Sequence, residues 1–220
     1  MNKYIFRVLF VTAAMLLTSL GCSSLSSLPG SGSVLEDDFS SSGGWGLTAD
    51  ANSSVEYTDG GLRMKIFTDN YFIWSAPNTE SYENVHIEVT VKNNDTHPTT
   101  AFGILCDQQT IGDSFYYLLI TPAGEYAIAK AALTRDDIFL TNNDKWAPSD
   151  LIAPNAPSYR MGADCGNGIL TLYVDGQQVV SVSDSSYTAG SVGLVTWSGE
   201  EVFTADVTFD DFVVTKLQQQ

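Results

Sequence analysis

The side chains able to do chemistry in this chain are few, and their spacing excludes more than it supports. There are two histidines: His86 falls on the polar face of an alternating segment, and His97 precedes Pro98. The chain has no C-x-x-C, no H-E-x-x-H, no P-loop and no Gly-x-Ser-x-Gly elbow, so the common sequence signatures of redox, zinc, nucleotide and serine-hydrolase chemistry are missing. Gly166-Asn167-Gly168 lacks a third glycine and reads as a turn. Acidic pairs occur at Asp37-Asp38 and Asp210-Asp211; hard oxygen ligands of this kind suit Ca²⁺. The tryptophans are Trp45, Trp74, Trp146 and Trp197. Aromatic rings with a few polar neighbours bind the apolar faces of sugars, and Trp74, Tyr116 and Trp146 are the expected platform.

Three cysteines, Cys22, Cys106 and Cys165, leave an odd count that needs explaining in an exported chain. Lys3 and Arg7 precede an apolar run from Val8 to Leu20, which is short for a membrane span and has the form of an export signal. Ser19-Leu20-Gly21-Cys22 resembles a bacterial lipobox, which implies a signal over residues 1–21 and an acylated Cys22. Cys106 and Cys165 are then left to pair. Residues 22–33 are rich in Ser and Gly and read as a flexible tether with a reach of roughly 17–20 Å. The expected address is the extracytoplasmic side of a bacterial envelope, with the lipid as the only membrane contact.

The 220 residues carry a formal net charge of −16, and without Lys3 and Arg7 eight basic residues face 26 acidic ones. Such a surface repels phosphate backbones, so nucleic acid is excluded as a partner. The expected form in solution is a monomer.

The elements that must position these side chains read as strands. Tyr159 to Ser183 is a three-stranded meander turned at Asn167-Gly168 and Asp175-Gly176. Val85, Ile87, Val89 and Val91 alternate with polar residues, the pattern of a half-buried strand. Asp59-Gly60-Gly61 marks a hairpin between Val55–Tyr57 and Leu62–Phe67. Ala101–Asp107, Ser114–Thr121 and Glu125–Ala131 form a second meander, whose Phe115–Ile120 segment is apolar on both faces. Residues 132–158 are expected to be loop, with a short strand near Ile138–Leu140. Val34–Phe39, Tyr71–Trp74, Val192–Trp197 and Val202–Thr215 complete the set. In the last of these, apolar parity switches at Asp210-Asp211, which predicts a β-bulge. Many short strands with regular turns mean an all-β, two-sheet antiparallel sandwich over residues 34–217. A Cys106–Cys165 bond would tie the two meanders together. If it crosses the core, Phe102 and Ile104 face inward while Ala101, Gly103 and Leu105 face outward and leave room for a groove.

Taken in order, the opening DDF, FGILCD, FYYLLI, G-E-Y-A-I-A-K, W-x-x-S, R-x-x-x-x-C, L-Y-V-D-G-Q, V-G-L-V and closing FDDFVV resemble the concanavalin A-like lectin/glucanase superfamily. The likeness is to laminin-G-like and family 16 glycosidase-like jelly rolls, including domains of the 3-keto-disaccharide hydrolase type. It implies a two-sheet jelly roll whose concave face holds sugars. It also implies Asp210 as the carboxylate for a structural calcium, the one cofactor expected. The family 16 triplet Glu-x-Asp-x-x-Glu is absent, since Glu80, Glu83 and Glu88 are wrongly spaced. The leading expectation is therefore a surface-anchored, non-catalytic module that binds polysaccharide or glycoconjugate. The alternatives are a 3-keto-disaccharide-type glycoside hydrolase and a structural or protein-binding envelope lipoprotein.

Overall fold

The computed structural model describes residues 32–217, apart from 78, 96, 111–113, 133–134 and 201–203. The signal, Cys22 and most of the tether lie outside the described residues, as does Phe203 of the expected last strand.

In chain order the strands are β1 (Ser33–Asp37), β2 (Thr48–Ala49), β3 (Ser53–Thr58), β4 (Gly61–Ile66), β5 (Phe72–Ser75), β6 (Val85–Asn93), β7 (Ala101–Gln108), β8 (Phe115–Ile120), β9 (Glu125–Ala131), β10 (Ile138–Phe139), β11 (Ala147–Pro148), β12 (Tyr159–Gly166), β13 (Ile169–Val174), β14 (Gln177–Ser183), β15 (Ser191–Trp197) and β16 (Ala205–Lys216). They form two antiparallel sheets. The nine-stranded sheet runs β14-β13-β12-β6-β16-β4-β3-β2, with β1 also on β16; the seven-stranded sheet runs β10-β9-β8-β7-β15-β5, with β11 also on β9. Two-residue turns at Asp59-Gly60, Asn167-Gly168 and Asp175-Gly176 all have positive φ at both positions, the requirement of the hairpin turn whose twist matches the strands.

The core lies between the sheets. In β6 every second residue from Val85 to Val91 is buried, as its alternation demands. Phe102, Ile104 and Cys106 meet it from the seven-stranded sheet. The Cys106–Cys165 disulfide joins β7 to β12 across this core, with 6.6 Å between the Cα atoms and a sequence separation of 59. In a chain-entropy view it stabilises the fold by about 4 kcal/mol.

Strand β16 buries Val207 and Phe209, then Phe212 and Val214, so both halves face the same core. The change of parity is absorbed where the register against β6 shifts between Asp210 and Val213 and Asp211 adopts φ 50°. The first half of the strand pairs with β4 and the second with β1. The bulge thus lets one strand serve two neighbours while keeping its apolar side chains in the core.

Candidate functional site

The outer face of the seven-stranded sheet is apolar. Ala101, Leu105, Phe115, Tyr117, Leu119, Ala129, Ala131 and Val195 form a second buried cluster there, separate from the core. Packed on it are the half-buried rings of Phe72, Trp74, Phe139, Trp146 and Trp197. These five rings, with Phe115, Tyr117, Leu119 and Ala131 of the cluster, line a groove of about 830 Å³. Strand alternation makes this face: Phe102 and Ile104 point to the core, whereas Ala101 and Leu105 point to the groove side, as expected from the sequence. Gly103 lies between these last two, and a Cβ there would meet the Leu118 carbonyl oxygen at 1.9 Å. Only glycine allows β7 and β8 to approach so closely.

The rings form two connected groups. Phe72 stacks on Phe115 at 6.1 Å, and Trp74 and Tyr117 lie 5.7 and 6.1 Å from the same Phe115 ring. Opposite them, Trp146 stacks on Trp197 at 6.2 Å with 10° between planes, and Phe139 meets Trp146 edge-on at 5.7 Å. Trp197 Nε1 donates to Asn70 Oδ1 at 3.3 Å. The indole nitrogens of Trp74 and Trp146 have no partner among the described residues, so both are free to donate to a bound molecule.

The wall carrying Trp146 comes from the segment expected to be loop. Asn142, Asn143 and Asp144 all have positive φ, which Asn and Asp tolerate better than other side-chain-bearing residues. Asp144 Oδ1 accepts from Phe139 N at 2.8 Å, and Asn142 Nδ2 donates to the Trp146 carbonyl at 2.7 Å. The segment also supplies β10, near the expected Ile138–Leu140, and β11, which was not foreseen; both pair with β9.

The groove's charged lining residues are Arg135, Asp137, Asp144, Lys145 and Glu200. Tyr117 donates to Asp137 Oδ2 at 2.8 Å. Burial raises the Asp137 carboxyl above its usual range, opposed by that bond and reinforced by Asp136. Burial and the adjacent Asp137 also raise the Tyr117 phenol, so it stays protonated as a donor. The groove carboxylates Asp137, Asp144 and Glu200 all come from loops, and the floor strands contribute none. The arrangement offers ring faces and a few hydrogen-bonding groups.

Of the three expected platform residues, Trp74 and Trp146 line this groove. Tyr116 does not. It is fully buried on the core side, with its hydroxyl donating to Asp184 and accepting from Tyr187 N. The groove-facing tyrosine is its neighbour Tyr117, because adjacent residues of a strand point to opposite faces. Trp197, Phe72 and Phe139 belong to the site and were not singled out from the sequence. Trp45 is buried against Phe39 and Phe212, its indole N–H bonded to Asp37 Oδ2 at 2.9 Å.

β1 pairs with β16, so Asp37 stands opposite Phe212 and the two acidic pairs are neighbours, as expected. Yet Asp37 is occupied with Phe39 N and Trp45, while Asp210 Oδ1 accepts from Asp211 N and Arg160 donates to the Asp211 carbonyl. Among the described residues there is no group of three His, Cys, Asp or Glu able to hold a metal ion.

No protein-family model matches the chain, and no curated protein matches it in sequence. Solved structures do match. The carbohydrate binding module CBM66 from Bacillus subtilis superposes with TM-score 0.58 at 16% identity, covering 78% of this chain and 95% of that one. A Bacillus subtilis protein of unknown function with a galectin-like fold gives 0.60 at 12%, covering 84% and 97%. A Bacillus licheniformis beta-glucanase gives 0.58 at 16%, covering 85% and 99%. At these identities the likeness is one of fold: a concanavalin A-like jelly roll.

Proposed function

We propose that the groove on the outer face of the seven-stranded sheet binds carbohydrate, and that the protein is a non-catalytic polysaccharide- or glycoconjugate-binding module held to the cell envelope through an acylated Cys22. The observation that carries this reading is the aromatic lining. Trp74, Trp146 and Trp197 are partly exposed around a groove of about 830 Å³, with free indole donors on two of them. A face so rich in rings has no core to fill on that side, and flat apolar surfaces beside a few polar groups suit the apolar faces of sugar rings. The absence of the Glu-x-Asp-x-x-Glu triplet and the loop origin of every groove carboxylate favour binding over hydrolysis, which needs two carboxyls placed across one bond. The fold is shared with a carbohydrate binding module, which is consistent with the reading.

The test is affinity electrophoresis and calorimetry of the full chain against neutral and charged polysaccharides, including β-1,3-glucan, carrageenan and mucin O-glycans. Retention by at least one glycan is expected, weakened in Trp146→Ala with the melting temperature unchanged. Absence of binding across the panel, or binding untouched by Trp146→Ala and Trp74→Ala, would refute it. For the anchor, fatty-acid labelling in cells is expected for the wild type and lost in Cys22→Ser; labelling that survives the substitution contradicts it.

A further inference from the structure

Trp74 has a second pocket on its other side. This pocket, of about 550 Å³, is formed by Gly44, Gly46, Thr79 and Ser81 together with Gln108, Gln109, Thr110 and the Ala189–Ser191 segment. Trp74 lines both it and the aromatic groove. The aromatic groove reaches Trp197 at one end of β15, and the second pocket reaches Ser191 at the other. At the rise of an extended strand these ends lie roughly 20 Å apart, more than one sugar ring spans.

The chemistry of the two parts differs. Among the described residues, the second pocket is lined by no charged side chain and, apart from Trp74, by no aromatic one. Its polar groups are amides and hydroxyls, and two amides are held in place. Gln108 Oε1 accepts from Ser191 Oγ at 3.0 Å, and its Nε2 has no partner among the described residues. Gln109 Nε2 donates to the carbonyls of Asp107 and Ala189 at 2.6 and 3.0 Å, and its Oε1 has no partner among the described residues. One pre-oriented donor and one pre-oriented acceptor beside a tryptophan edge match a neutral polyhydroxyl unit. A charged unit would find no counter-charge among the described lining residues, in a chain whose net charge is −16.

We infer that the cleft continues past Trp74 into a charge-free subsite built on Gln108 and Gln109, and that the ligand is a neutral oligosaccharide chain lying across both parts, with Trp74 between consecutive units. This rests on the carbohydrate reading and adds the ligand's length and charge to it.

The test is calorimetry of the full chain with neutral β-1,3-gluco-oligosaccharides and β-fructo-oligosaccharides, each from disaccharide to hexasaccharide. Affinity is expected to rise with length. Ser81→Trp fills the second pocket from an exposed position, and Gln108→Ala removes its donor. Each is expected to weaken hexasaccharide binding about tenfold and to leave disaccharide binding and the melting temperature unchanged; Trp74→Ala is expected to weaken both. If Trp146→Ala abolishes binding while Ser81→Trp and Gln108→Ala leave hexasaccharide affinity intact, the aromatic groove stands and the second subsite does not. If both ladders fail to bind while an anionic glycan such as carrageenan does, the neutral subsite is refuted and the groove reading survives. If no glycan binds at all, both fall.

Discussion

The outer faces of the two sheets are built by the same strand alternation and carry opposite chemistry. On the nine-stranded sheet the outward residues of β6, β12 and β13 form an ionic network. His86 Nδ1 lies 2.6 Å from Asp164 Oδ1, Tyr173 donates to Asp164 Oδ2 at 2.8 Å, and Arg160 donates to Glu88 Oε2 at 2.9 Å. On the seven-stranded sheet the outward residues are Phe115, Tyr117, Leu119, Val195 and small alanines. Polar side chains can satisfy one another and finish a surface against water. An aromatic face cannot, and apolar patches left open to solvent are in general interaction sites. That is why the groove, and not the histidine network, is the functional candidate.

The comparison breaks first at the bond that joins the two sheets. Replacing Cys106 and Cys165 together by Ala is expected to reduce stability by about 4 kcal/mol, read by denaturant unfolding of the oxidised wild type and the variant. A change below about 1 kcal/mol would mean that the sheets are held by apolar packing alone. The groove is expected to lose binding without losing stability: Trp146→Ala together with Trp197→Ala should cost about 2 kcal/mol of affinity, roughly thirtyfold. A matching drop in melting temperature would instead make these rings part of the fold.

The carboxylates of the two sheets should respond oppositely to pH. Asp107, at the end of β7, is 4% exposed, and burial followed by the charge of Glu83 pushes its carboxyl up to about 6. A raised folded value favours the protonated form, so this contribution is full below the unfolded value near 3.8 and is lost as pH rises through about 6. Asp107→Asn is therefore expected to stabilise the protein at neutral pH by about 1–3 kcal/mol, with the gain gone at pH 4; an equal effect at both would rule out the ionisation. Glu88 is held down to about 2, first by the bond from His86 and then by Arg160. Its contribution is present above about 4.5 and lost as pH falls toward 2.

His86 acts in the alkaline range. Burial alone lowers its pKa, but the bonds to Asp164 and Glu88 outweigh that and raise it to about 9. The stabilisation is full below 6.5 and lost as pH rises through 9. His86→Gln should flatten the decline in melting temperature over that window. An unchanged slope would show that the imidazole is not charged in the folded protein.

Local grammar accounts for what could be read in advance. The alternation of β6, the Asn-Gly and Asp-Gly turns of the β12–β14 meander and the bulge at Asp210-Asp211 each follow from periodicity, turn chemistry or parity within a few residues, whereas the Cys106–Cys165 pairing was read from the cysteine count. Trp74 and Trp146, two of the three residues expected to share a platform, do line one groove. Tyr116 was misplaced because Phe115–Ile120 is apolar at every position and buried throughout, so no polar residue marks which side faces out. Trp197 ends a strand that reads as core, and nothing near it announces that the segment after Ala131 will fold back to set Trp146 against it.

The sequence by itself therefore determined an all-β sandwich, its turns, its cross-link and an acidic surface, because backbone preference and side-chain period are local properties. Only the tertiary structure decided that Trp74, Trp146, Trp197 and Tyr117 share one face, since that depends on which sheet each strand joins and on a loop held by three residues in left-handed conformation. The physical reason is that a strand's period separates its two faces without saying which one the core will take; that choice is made when the second sheet packs on one of them.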